Sequence, residues 1–121
     1  MVYICSPFSG DMDANRQKAI EYCRYAVECG AAPVAPHLLF PQFLDDTVPA
    51  ERELGMNMGL ELLDNCSALW VMGDTVSSGM KAEIEYAKQN HIPVEYFSAA
   101  DMEETKNGSV KRIMKTEVKA L

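Results

Sequence analysis

The sequence predicts an α/β three-layer sandwich, Rossmann-like or flavodoxin-like, with a mostly parallel four- or five-stranded sheet between helices. Three observations carry this. Short β-rich runs alternate four times with stretches of helical spacing, and that alternation builds parallel βαβ units. The run "SALWVMG" (67–73) is apolar almost throughout, which marks a central strand covered on both faces. The 121 residues suffice for one domain with a modest core. Right-handed crossovers then favour a doubly wound strand order such as 2-1-3-4.

The elements follow in order. "VYICS" (2–6) is a β-rich run stopped by the breakers "PFSGD". Residues 14–29 place Ala19, Ile20, Cys23, Ala26 and Val27 at helical spacing, with Asp13 as N-cap and Gly30 as C-cap. "APVAP" (32–36) makes a second short strand whose prolines suit its ends or an edge. "HLLFPQFLDDTVP" (37–49) is a long, partly apolar connection, the kind that often serves as a binding loop or lid. Residues 50–66 are helical again, with Leu54, Met58, Leu62 and Cys66 spaced by four. After the strand at 67–73, "SSGMKAEIEYA" opens a helix that runs to about Asn90, with Met80, Ile84 and Ala87 facing inward. "IPVEYF" (92–97) is the fourth strand. Residues 98–121 read as a C-terminal extension of the domain formed by 1–97. It begins with a capping box at Ser98 and Asp101 and breaks at "NGS". Its end, "VKRIMKTEVKAL", reads as a helix, an added strand or a mobile end.

Composition narrows the function classes. A net charge of −7 argues against nucleic acid and against anionic membranes as partners. The four cysteines include no C-x-x-C pair, so a zinc site is not expected and a reducing cytoplasm is. Cys5 and Cys66 lie in or beside apolar runs, where free cysteine behaves as a small hydrophobe. No segment approaches the roughly 20 apolar residues of a membrane span, and "MVYICS" reads as a strand rather than a signal peptide.

Ligands in such a fold bind beyond the carboxyl ends of the strands. "SPFSGD", the loop headed by His37, and "GDTVSSGM" all land there. The first and third bring glycines and hydroxyls to helix N-termini, where free amides can hold an anion or ribose oxygens. Neither is a G-x-G-x-x-G fingerprint or a Walker loop, so no cofactor is expected. Glu83 leans over the edge of the buried stripe, one turn past Ser77, Ser78 and Gly79. It is either a rim carboxylate with a packed stem or a group aimed at a ligand. Glu85, on the opposite side, reads as a surface charge. His37 is either a hydrogen-bonded loop histidine or a ligand contact. Arg52 either binds a phosphate or carboxylate or pairs with Glu51 or Glu53. Trp70 reads as core.

"YICSPFSGD" and "SSGMKAEIEYA" resemble the two signature segments of the nucleoside 2-deoxyribosyltransferase superfamily, which includes the deoxynucleoside 5′-monophosphate N-glycosidases, and "PH…FPQFLDD" and "ERE-G" resemble its small bacterial and phage members. The resemblance spans roughly residues 2 to 97, and its most specific element is the Gly79-to-Glu83 spacing. It implies a nucleoside or nucleotide ligand and a nucleophilic role for Glu83. In catalytic members this glutamate attacks the anomeric carbon of a deoxyribose, and the glycosyl-enzyme passes to another base or to water. It implies that Tyr3 orients Glu83, and that Ser6, Phe8 and Gly10 line the nucleoside pocket. It also implies a homo-oligomer, dimer or higher, since family pockets are completed by a neighbouring subunit; the apolar surface around Met56 and Met58 suits one. Two positions depart from the pattern. Ser77 stands where the transferases carry an aspartate, as it does in the monophosphate hydrolases. Gly59 stands where the hydrolases carry the acid that assists the leaving base. Glu61, two positions on, lies about 200° round the helix, and Asp64 and Asp74 have no counterpart in the pattern. Two functions follow: a glycosidase or deoxyribosyltransferase acting through Glu83, or a non-catalytic nucleotide-binding or sensing module with the same pocket.

Overall fold

The computed structural model describes residues 1–104. Four parallel strands form one sheet: β1 (Val2–Cys5), β2 (Pro33–Val34), β3 (Ala68–Met72) and β4 (Val94–Phe97). Their order is β2-β1-β3-β4, with Tyr3 level with Leu69 and Leu69 level with Val94. The connecting helices are α1 (Met12–Glu28), α2 (Pro36–Leu39), α3 (Pro49–Asp64) and α4 (Ser78–Gln89), followed by α5 (Ala99–Glu104).

Side chains alternate across β1 and β3, so the sheet carries two cores. Tyr3, Cys5, Leu69 and Val71 pack with Leu63 of α3 and with Met80, Ile84 and Ala87 of α4. Val2, Ile4, Ala68, Trp70 and Met72 pack on the other face with Tyr25 and Ala26 of α1 and Met102 of α5. The result is the predicted three-layer sandwich. All five residues of β3 are buried, as expected of a central strand with helices on both faces. Trp70 is core, set between Tyr25 and Phe97. β2 has only two residues, because Pro33 and Pro36 lack the N–H donors that would extend a ladder.

Several local expectations shift. The cap of α1 is Asp11, whose carboxylate accepts from Ala14 N at 3.1 Å, and Asp13 lies inside the first turn. A carboxylate there still opposes the helix dipole favourably. At the other end Cys29 is the cap, with Gly30 one residue beyond it. Ile20 and Val27 face outward, and Ala19, Tyr25 and Ala26 make the buried face of α1. Of the stripe expected over 50–66, Cys66 is core and Leu62 packs against it, but Leu54 and Met58 are exposed, and Gly59 and Leu63 are the buried residues of α3. Gly59 lies against β1, since a Cβ there would be 3.4 Å from the Tyr3 hydroxyl. The stripe of α4 is Met80, Ile84 and Ala87, as its spacing predicts. Ser98 and Asp101 cap α5 reciprocally at 3.1 and 2.9 Å. The segment "VKRIMKTEVKAL" lies outside the described residues.

β1 lies between β2 and β3, so the chain leaves it toward one neighbour and returns on its other side. The loops after β1 and β3 diverge at that switch point and leave a crevice. Gly73 ends β3 at φ +88, and a Cβ there would sit 2.9 Å from the Tyr22 hydroxyl. Only glycine turns the chain at that point.

Candidate active site

A cavity of about 570 Å³ opens at the switch point, between the β1 loop, α2, α3 and the start of α4. That volume suits a small organic ligand. The Tyr3 hydroxyl on β1 donates to Glu83 Oε2 of α4, 80 residues away in sequence. The Cys5 thiol donates to the other oxygen, Oε1, at 3.5 Å. Tyr3 and Cys5 are essentially inaccessible, and Glu83 is half-buried beside the cavity.

The electrostatics follow from burial. Loss of solvent pushes the Glu83 carboxyl above the usual carboxylate range, and the Tyr3 and Cys5 donors pull it part of the way back. Burial first, and then the Glu83 charge, hold the Tyr3 hydroxyl and the Cys5 thiol well above their ordinary values. Both therefore stay protonated as donors. Among the described residues the ion pair is Arg24 with Glu28, so no cation neutralises Glu83. A carboxylate held by two neutral donors is suited to meet positive charge that develops on a ligand.

α4 begins at the cavity edge. The Ser77 hydroxyl accepts from Met80 N at 3.3 Å and caps the helix, so its oxygen is already engaged. Ser78 and Gly79 are exposed, and the position a Gly79 Cβ would take is open space. The β1 loop adds Ser6 and Phe8 to the cavity wall. The Ser6 hydroxyl is enclosed and has no hydrogen-bond partner among the described residues. Phe8 stacks on His37 of α2, with ring centroids 4.8 Å apart. Burial lowers the His37 pKa, against the opposing pull of the Ser6 backbone and of Asp46. Gly10 is not part of the cavity lining; it turns the chain at φ +98 into the Asp11 cap.

The 37–49 connection contains α2 and a 3₁₀ turn, Phe40–Gln42, and it contributes Phe40, Pro41 and Leu44 to the cavity. Arg52 also lines the cavity. It is exposed and pairs with neither Glu51 nor Glu53; Glu51 instead accepts from Asp45 N at 2.9 Å. Thus Tyr3, Ser6, Phe8, His37, Arg52, Ser77, Ser78, Gly79 and Glu83 surround one cavity, and Gly10 stands apart.

Cys5 and Gly55, which sequence reading did not place in the site, and Gly59, which it read only as a missing acid, complete the site. Cys5 holds the second Glu83 oxygen. Gly55 and Gly59, one turn apart on α3, line the cavity without projecting a side chain into it. Each had a signal: Cys5 falls two residues after Tyr3 on a strand, hence on the same face, and paired glycines inside a helix are costly. Neither Asp64 nor Asp74 lines the cavity. Asp64 accepts from the Tyr86 hydroxyl at 2.8 Å and ties α3 to α4, and Asp74 accepts from Ala99 N at 3.1 Å. Among the described residues no group of His, Cys, Asp and Glu is arranged to hold a metal ion, and no helix is long and apolar enough to cross a membrane.

A family model matches residues 1–97, which contain every residue of this site. No curated protein and no solved structure matches the chain.

Proposed function

Because the chain belongs to the family described as Domain of unknown function (DUF7768), its activity has to be argued from the site, and we propose that it cleaves the N-glycosidic bond of a nucleoside or nucleotide through Glu83. One observation carries the reading: a carboxylate with no cationic partner among the described residues, oriented by Tyr3, at the edge of a cavity of ligand size. A glycosidic carbon acquires positive charge as its bond to the base breaks. A fixed, uncompensated carboxylate stabilises that charge before bonding to it.

In the first step a Glu83 oxygen forms a bond to C1′ of the sugar as the C1′–N bond breaks. The bonding pair leaves with the base nitrogen, which takes up a proton from solvent water, since Gly59 supplies no acid. In the second step water or another base attacks C1′, sheds a proton, and frees the carboxylate. Tyr3 keeps one oxygen aimed throughout. The Ser6 hydroxyl, without a partner among the described residues, is available to a sugar hydroxyl, and Arg52 to an anionic group at the cavity mouth. Resemblance to the nucleoside 2-deoxyribosyltransferase superfamily supports deoxyribose as the sugar.

A second reading, a nucleotide-binding or sensing module, is favoured by Gly59. It lies against the Tyr3 hydroxyl and supplies no acid for a departing base, so a purine would leave slowly. One experiment separates the two. Wild type is screened against nucleosides and nucleotides for release of free base and for thermal stabilisation. The glycosidase reading expects base release that Glu83→Ala and Glu83→Gln both abolish, with ligand binding retained. Ligand-dependent stabilisation without base release from any compound would reject the enzyme and keep the binding module.

A further inference from the structure

We propose that Cys5 is a positioning residue for Glu83, its thiol holding Oε1 while Tyr3 holds Oε2, so that the two donors together fix the orientation and charge of the carboxylate. The inference deepens the reading of Glu83 as nucleophile and rests on it for its catalytic meaning, but the contact itself does not.

The geometry is specific. Cys5 is fully buried at the end of β1. Its sulfur lies 3.5 Å from Glu83 Oε1 and 3.9 Å from the Met80 carbonyl, so the carboxylate is the nearer acceptor. Tyr3 and Cys5 sit two residues apart on one strand face and converge on one carboxylate from α4. The chain's three other cysteines are free thiols, and no contact to Glu83 involves them. A thiol is a weak donor compared with a phenol. It aims Oε1 while leaving that oxygen the more electron-rich of the two. Oε2 is then the anchor, and Oε1 the oxygen that bonds to the sugar. A hydrophobe at position 5 would fill the same core but leave Oε1 free to rotate.

Other titratable groups around the cavity are His37 of α2, Asp46 of the loop before α3, Glu51 and Arg52 of α3, and Glu85 and Tyr86 of α4. None of them is hydrogen-bonded to Glu83.

The test uses the full chain and the variants Cys5→Ala, Cys5→Ser and Glu83→Gln. The Glu83 carboxyl is titrated by carbon NMR in glutamate-labelled protein, a readout that requires no turnover. Loss of the thiol in Cys5→Ala should raise the Glu83 midpoint by about half a pH unit or more, and Cys5→Ser should recover part of the shift. The S–H stretch of Cys5, isolated as the wild-type minus Cys5→Ala difference spectrum, should move to higher frequency in Glu83→Gln, where the acceptor is weaker. If base release is found, the acid limb of kcat should follow the NMR midpoint, with KM little changed. An unmoved midpoint, or an S–H band indifferent to Glu83→Gln, would overturn the proposal and leave Cys5 a packing residue. Should wild type release no base while the midpoint and band move as expected, the glycosidase reading fails and the positioning role stands. If Cys5→Ala does not fold, Cys5→Ser, which also lacks the S–H group, supplies the reference spectrum and the wild-type and Glu83→Gln bands still decide the matter.

Discussion

Glu83 makes stability depend on pH in a direction unusual for a carboxylate. Burial raises its folded-state pKa above the unfolded value, so the native state binds the proton more tightly. Native stability therefore falls as pH rises from about 4 through the folded value, then levels. Glu83→Gln carries no titrating group, so the wild-type unfolding free energy relative to this variant should decline across that window in urea titrations. A flat difference would mean that burial does not tax the charge. Tyr3→Phe probes the same charge from the other side. It leaves a carboxylate oxygen without its phenolic donor, and should cost about 1–3 kcal/mol at neutral pH. The cost should shrink in acid, where Glu83 is protonated. Of this cluster, sequence reading reaches Tyr3 and Glu83 through their segments. It passes over Cys5, because a cysteine in an apolar strand reads as core until its acceptor is known.

At the scale of elements, α4 and α3 contrast. The 80/84/87 stripe of α4 is legible because large apolar side chains mark the side that packs. On α3 they do not. Its Gly59 lies against Tyr3 of β1, and Leu54, Met56 and Met58 are exposed. Hydrophobic spacing misplaces a helix whose inner face is built from glycine. Gly55 offers a test, since a Cβ there would meet only Leu44 at an ordinary 3.5 Å. Gly55→Ala should stabilise the fold by about 0.5–1 kcal/mol in urea denaturation through helix propensity. The same methyl narrows the cavity, so the thermal shift produced by the best nucleoside or nucleotide should decrease. Equal or stronger binding would show that this wall does not meet the ligand. Asp11→Ala tests the other end of the element scale. It removes the acceptor for Ala14 N and should cost about 1 kcal/mol, with no change in ligand response.

For the whole molecule, the exposed apolar surface of α3 is the feature that the described fold leaves uncovered. Met56 is 62% exposed and borders the cavity, whereas Leu54 and Met58 are exposed about 200° round the helix from it. A second copy covering Met56 would bury it and close the cavity mouth. We therefore expect at least a dimer. Light scattering at high micromolar concentration should give a mass of two chains or more, and Met56→Asp should lower it. A monomeric mass for wild type would remove the second copy from the site.

The sequence by itself determined the alternation of strands and helices, the β2-β1-β3-β4 order and the burial of β3, because these follow from periodicity, crossover rules and local turn chemistry. It also brought Glu83, Tyr3 and the serine-glycine loop into view as segments. Only the tertiary structure decided that the Tyr3 hydroxyl and the Cys5 thiol take one carboxylate oxygen each. Only it showed that Ser77 spends its hydroxyl on a cap, that Gly10 stands outside the cavity, and that Arg52 pairs with neither Glu51 nor Glu53. Those outcomes depend on distances between residues up to 80 positions apart and on which face of α3 meets β1. Spacing along a chain fixes the direction of a side chain within its own element, but not what waits across the gap.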